Sequence, residues 1–349
     1  MRGANTLRKG VMVITLTIAV LVTVFLMPLQ THATQWRWET VTSLKDPVGD
    51  DNGAGNYVYP EASEFQKGVL DLTGFTARFN RGYGIQFMVN LSKIGGNPRN
   101  FNTGFSLQEI QIYVHAKDGA PGSISTYGLN VIVRGPDAWQ FAVIAPAYAP
   151  PWNAAMVLIY ANGTVVKDPE GANISVKDNS IVINIPMKYV RSWSDNMKYW
   201  RYFVAVTPFD PKEPFGVMRL STAPGKNVIG GANPSALNAG VAPRIMDLLA
   251  PTAAIQRRLL SSYDTRSGSP AVVAAVPYTK NYVLPQPIKT VTLTTTKTLP
   301  TTVTHYEYST VTTTVTKLHE YYGSMTWGLM GLVILLAIVL AVLLERSRK

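Results

Sequence analysis

Between residues 36 and 263 the chain is a succession of short β-branched and aromatic stretches, cut apart by glycine and proline. That punctuation leaves no uninterrupted interval for long helices and favours strands of a few residues. Residues 77–91 alternate around Phe79, Ile85, Phe87, Val89 and Leu91, and residues 107–114 around Leu107, Ile110, Ile112 and Val114. Further strand-like stretches follow at 130–133, 140–144, 156–160, 180–185 and 199–207. Along 199–207 the alternation sets Tyr199, Arg201 and Phe203 on one face and Trp200, Tyr202 and Val204 on the other, one of which must be core. Residues 187–193 read as a short helix after Pro186, and 244–263 as two helix-like stretches divided by Pro251. The expected fold class is all-β, an antiparallel β-sandwich with short helices.

The two ends of the chain suggest export. Arg2, Arg8 and Lys9 precede an apolar run at 11–27, and Thr31-His32-Ala33 offers a small-residue cleavage site, so 1–33 reads as a signal peptide. An uncleaved anchor is the alternative. Residues 325–344 form an uncharged apolar run of about 20 residues, long enough at ~1.5 Å per residue to cross a ~30 Å hydrocarbon core. Arg346, Arg348 and Lys349 follow, which places the tail at 345–349 in the cytoplasm and the bulk outside a cell membrane crossed once, at 323–344. Ahead of this span, 14 threonines fall between residues 290 and 316, with Pro300 among them. Such a composition reads as an O-glycosylated stalk at 290–322 or, since Thr and Val favour strands, as a hairpin. Residues 267–289 make a linker and 34–266 the folded module.

Charge and composition exclude several functions. Six of the cations behind the net charge of +11 lie in the terminal segments just named, and the rest are scattered, so a nucleic-acid partner is not expected. With no cysteine there is no disulfide, thiolate nucleophile or thiolate-bound zinc. No histidine pair has metal spacing, no Gly-x-Ser-x-Gly elbow occurs, and Gly225-Lys226 lacks the glycines of a phosphate loop. Nothing calls for an enzyme, and no catalytic residue is expected.

Two features could hold a ligand. Residues 46–60, DPVGDDNGAGNYVYP, bring Asp46, Asp50 and Asp51 together with Gly49, Gly53 and Gly55. Carboxylates and backbone carbonyls on so pliable a turn could surround a structural calcium ion; a solvated polar turn is the competing reading. Among the aromatic residues, Trp139, Tyr148 and Trp152 are candidates for stacking on sugar rings, the last two presented by the stiff loop PAYAPPW at 146–152. Trp193, Tyr199, Trp200 and Tyr202 are others, most of which must be core. Asn90, Asn162 and Asn173 begin Asn-x-Ser/Thr glycosylation sequons.

The series DPVGDDNGAGNYVYP (46–60), DLTGF (71–75), GFSLQEIQIYV (104–114), GPDAWQFAV (135–143), GKNVIGGAN (225–233) and RIMDLLAPTAAIQRRLLSSYD (244–264) resembles the C-terminal domain of glucodextranase. That family also occurs in archaeal surface proteins and amylolytic enzymes. The resemblance implies a sandwich akin to carbohydrate-binding and DOMON-like modules, near α-glucans and without catalysis of its own. Two departures stand out: Asn97-Pro98-Arg99 where the family has Asn-Pro-Trp, and Val114-His115 where it has Ile-Asp. The resulting expectation is an archaeal cell-surface module for a polysaccharide or surface glycan, beside a sugar transporter or partner enzymes. A structural surface-layer component that contacts envelope proteins is the alternative. A haem-bearing electron-transfer domain is a third reading, for which His115 is the one well-placed histidine.

Overall fold

The computed structural model describes residues 37–277 and two further strands, Thr292–Thr294 and Thr312–Thr314. The expected signal peptide, membrane span, cytoplasmic tail and most of the linker and stalk lie outside the described residues. No helix among the described residues is long and apolar enough to cross a membrane.

The first compact unit holds two antiparallel sheets. Its strands are β1 (Glu39–Lys45), β2 (Leu72–Asn80), β3 (Gly84–Leu91), β4 (Gln108–His115), β5 (Val131–Val133), β6 (Phe141–Ala145), β7 (Val157–Tyr160), β8 (Val165–Lys167), β9 (Asn173–Lys177) and β10 (Ser180–Pro186). Helix α1 (Met187–Val190) runs into a 3-10 segment, followed by β11 (Arg201–Pro208), α2 (Pro234–Asn238), β12 (Asp247–Leu248), α3 (Ala253–Leu260) and β13 (Ala271–Val273). One sheet has the order β1-β2-β3-β10-β9 and the other β12-β11-β4-β6-β7-β8. The edges are therefore β1 and β9 in the first, β12 and β8 in the second.

Alternate residues of both sheets face a common core. Phe75, Ile85, Phe87, Val89, Ile181 and Ile183 meet Ile110, Ile112, Val114, Val143, Tyr202 and Val204 there, all fully buried. The rings of Phe75 and Tyr202, from opposite sheets, are 4.9 Å apart at their centroids. Each such side chain contributes about 1.5–3 kcal/mol when buried, so the sandwich needs no disulfide.

Three expectations change. Residues 77–91 are a hairpin rather than one strand, because Asn80 Oδ1 accepts from the backbone N–H groups of Gly82 and Tyr83 and turns the chain between β2 and β3. Both faces of β4 and β11 are buried, not one. Phe203 and Ala205 join a second apolar cluster with Leu129, Val131, Trp139, Leu259 and Val273, where loops, α3 and the parallel pair β5–β13 cover the back of the second sheet. Finally, the first half of 244–263 contains β12, and only the second half is helical, started by the Thr252 hydroxyl accepting from Ile255 N–H. Pro251 and Thr252 separate the two, as expected of a residue that resists the preceding helix.

In the second unit, Thr292–Thr294 and Thr312–Thr314, here β14 and β15, pair antiparallel.

Candidate functional site

The acidic turn leaves β1 at Lys45 and continues its sheet by one more bond, Asp46 N–H to the Thr73 carbonyl (3.2 Å). Gly49, Gly53 and Gly55 all take positive φ, which is why the sequence spends glycines here. A Cβ on Gly55 would meet the Arg257 side chain at 2.6 Å, so the turn lies close against α3. Gln256 of that helix donates to the Asp50 carbonyl and accepts from Leu248 N–H (2.7 Å), tying turn, helix and β12 together.

Within this frame three carboxylates converge. Asp46, Asp50 and Asp247 each place an oxygen within 4.8 Å of the others. Asp247 belongs to β12, about 200 residues further along the chain. Its two oxygens accept from Leu72 N–H and Leu248 N–H, both at 2.7 Å, which fixes its orientation. Asp46 Oδ1 accepts from Ala250 N–H (2.6 Å), while its Oδ2 has no partner. Neither carboxylate oxygen of Asp50 has one, nor does the amide oxygen of Asn52, all three atoms being buried.

Electrostatics sharpen the picture. Burial pushes Asp50 up to about 6; its own backbone N–H holds it down, the charges of Asp71 and Asp51 add to the rise, and Arg257 opposes it. Burial likewise raises Asp46 and Asp247 far above the usual carboxylate range; the charges of Asp50 and Asp71 add to the rise at both, and that of Asp46 adds to it at Asp247. Asp71, beside them, is raised by burial while Ser92 Oγ–H and Gly49 N–H hydrogen bonds pull it down. No salt bridge involves any of these acids among the described residues.

Of the expected metal ligands, Asp46 and Asp50 come together and Asp51 stands apart. The Asp51 carboxylate accepts from the Tyr59 hydroxyl, which itself accepts from Gly68 and Leu70 N–H and so secures the following loop. Asp247 replaces it in the cluster. A lone acid inside the apolar run Ile245-Met246-Asp247-Leu248-Leu249 was the available signal.

The aromatic candidates also separate. Trp139 is 1% exposed and Trp152 5%, so in this conformation neither ring offers a face to a ligand. They are the inner part of an assembly whose outer members are the half-buried Tyr127 and Phe215. Tyr127 lies 5.3 Å from Trp152 and 5.8 Å from Phe215 between ring centroids. Beneath it runs a polar ladder on β4. Gln111 Nε2 donates to Glu109 and to the Tyr127 carbonyl, the Tyr113 hydroxyl donates to Gln111 Oε1, and Tyr127 N–H donates to that hydroxyl. Phe215 holds φ 63°, ψ 5°, the left-handed region that a phenylalanine rarely adopts, and its N–H donates to the Pro150 carbonyl (2.7 Å). Sequence reasoning missed both residues, because neither stands in a strand or an aromatic run.

Tyr148 is half-buried elsewhere, against Phe101 (4.5 Å), with its hydroxyl donating to Asn102. Tyr199 is 65% exposed, under the Lys198 ammonium. His115 is buried, one ring nitrogen at the Ala138 carbonyl (2.8 Å) and the other at Asp118 (2.9 Å), so neither is free for a haem iron. Asn162 and Asn173 are exposed, whereas Asn90 lies within β3 and accepts from the Ser180 hydroxyl.

No curated protein matches the chain. A family model described as the C-terminal binding-module, SLH-like, of glucodextranase matches residues 41–275, a span that takes in both the acidic centre and the aromatic assembly. On that match the chain belongs to the family of the glucodextranase C-terminal binding module.

Proposed function

We propose that this protein is a non-catalytic carbohydrate-binding module, held outside the cell by a single C-terminal membrane span and directed at an α-glucan-type polysaccharide. The observation that carries the reading is the family match, because the matched region is described as a binding module and not as a catalytic domain. The aromatic assembly supplies a physical means. Tyr127 is pinned through both backbone polar groups by the Glu109–Gln111–Tyr113 ladder, and Phe215 is held in a strained backbone state. Strain of about 1–3 kcal/mol persists only where the surroundings enforce it, and such positions cluster at ligand contacts. Rigid, half-exposed rings lose little freedom when a sugar stacks on them. The earlier stacking proposal thus moves outward from Trp139 and Trp152 to Tyr127 and Phe215, with Tyr148 a separate candidate. Membrane attachment would keep captured glycan beside a transporter or partner enzyme.

The test is retention of the full chain, solubilised in detergent, in gels containing starch, glycogen or dextran. Retention is expected on at least one, with Tyr127→Ala together with Phe215→Ala weakening it about tenfold. No retardation by any α-glucan would remove the ligand class. The SLH-like character in the family's description favours a second reading, an envelope component that contacts neighbouring surface proteins. Recovery of the protein in detergent-insoluble envelope sheets, without glucan retention, would select it.

A further inference from the structure

We infer that Asp46, Asp50 and Asp247 bind one calcium ion that clamps the two sheets of the sandwich together at their edges. The carbohydrate reading plays no part in the argument. Oxygens that share a calcium ion lie 2.3–2.6 Å from it, so any two are at most about 5 Å apart. The three carboxylates meet that limit, at 4.8 Å. A group of acids alone would not suffice, because acids also gather without a metal.

The second observation is the orphaned oxygens. Asp50 is 3% exposed and Asp46 7%, yet three of their four carboxylate oxygens have no hydrogen-bond partner. Nearly every buried polar atom in a folded protein is paired, and an unpaired ionised one is costlier than any neutral group. The partnered oxygens point the same way. Ala250 N–H fixes Asp46 through Oδ1 and leaves Oδ2 unpaired, and Asp247 receives one N–H on each oxygen, with a lone pair on each to spare. The Asn52 amide oxygen, orphaned in the same turn, is a neutral donor of the same kind.

The donor set selects the ion. Oxygen donors alone, with no histidine and no cysteine, suit a hard cation rather than zinc or copper. Magnesium demands a near-ideal octahedron and keeps much of its water, whereas calcium accepts the irregular geometry that a glycine-rich turn and a strand end provide.

The position gives the ion its role. Asp46 directly follows β1, the edge strand of one sheet, and Asp247 lies in β12, the edge strand of the other. The bond from Ala250 to Asp46 already spans 204 residues of chain. An ion shared by these acids closes the same long loop and joins the first strand of the module to one of its last.

Calorimetric titration of the full chain tests this, with the protein in detergent and stripped by a chelator. Calcium chloride should bind at one equivalent per chain and raise Tm by about 5–10 °C when well above its Kd. Asp247→Asn should weaken binding at least about tenfold, while Asp51→Asn leaves it within about threefold. Magnesium at the same concentration should raise Tm less. Absence of binding heat in the unmutated protein overturns the site, whatever the variants do. Asp51→Asn losing calcium while Asp247→Asn keeps it overturns the ligand assignment, and an equal or larger rise with magnesium overturns the choice of ion.

Discussion

Two groups of buried acids in this molecule are treated in opposite ways. The Asp137 side chain is wholly buried and fully answered: Arg201 Nε donates to Oδ1 at 3.0 Å, Arg134 forks onto both oxygens, and Ala275 N–H donates to Oδ2 at 3.0 Å. Arg201 is itself completed by Asp118 and the Pro136 carbonyl, both at 2.9 Å. Asp50, also buried, has neither carboxylate oxygen hydrogen-bonded to another residue and forms no salt bridge among the described residues, and two further acids, Asp46 and Asp247, converge on it. The same chain therefore surrounds Asp137 with ion-paired cations, whereas at Asp50 the Arg257 charge acts without forming a salt bridge. The contrast separates a charge neutralised by the fold's own cations from one that the proposed calcium would neutralise.

Breaking the answered group should have the largest effect. Arg201→Leu leaves Asp137 with Arg134 as its remaining cation, and should lower unfolding stability by about 3 kcal/mol. Urea denaturation should show the same loss with calcium and with chelator, since the two groups are separate; a loss seen only in one condition would join them. Next in size, Asp50→Asn should abolish the calcium-dependent part of stability, about 2.7 kcal/mol at a calcium concentration 100 times Kd. In chelator it should be at least as stable as the unmutated protein at neutral pH, because an uncompensated charge has gone. A variant that is equally destabilised in both conditions would show Asp50 to be an ordinary packing residue.

A third buried acid stands between the two. Glu109 has one oxygen bonded by Gln111 and the other orphaned, and burial raises its pKa well above the usual value while the Gln111 bond opposes. A raised carboxylate binds its proton in the fold at a pH where the unfolded chain has released it. Its contribution is thus complete below the unfolded value near 4.5 and is lost as pH rises toward the folded value. Glu109→Gln removes that titration. Between pH 5 and 7 the unmutated protein should lose up to about 1.4 kcal/mol per pH unit more than the variant. Parallel stability curves for the two would mean that Glu109 is ionised in the fold and has a cation unaccounted for.

Much of this was legible in the sequence for reasons that also explain where it failed. The turn at 46–60 could be read because its acids and glycines are contiguous. Asp247 could not, since only the closing of both sheets brings a strand end some 200 residues away beside Asp46, and its apolar surroundings look helical. Strands that bury one face, such as β3, showed their period, whereas β11 did not reveal that its second face is also covered. The edge strands β8 and β9 escaped notice, being short and alternating between exposed and half-buried positions. For Trp139 and Trp152 an aromatic in a loop suggested a platform, but the loops fold back over the second sheet and bury both. Resemblance over the ordered motifs did identify the family, because several separated pieces had to agree.

The central claim is that the unanswered acids await a cation. A crystal structure of the protein grown with millimolar calcium tests it most directly. The account predicts a single calcium within about 2.3–2.6 Å of oxygens from Asp46, Asp50 and Asp247, joining β1 to β12. Asp50 carboxylate oxygens bonded only to water at that calcium concentration, with no ion between the three acids, would contradict it.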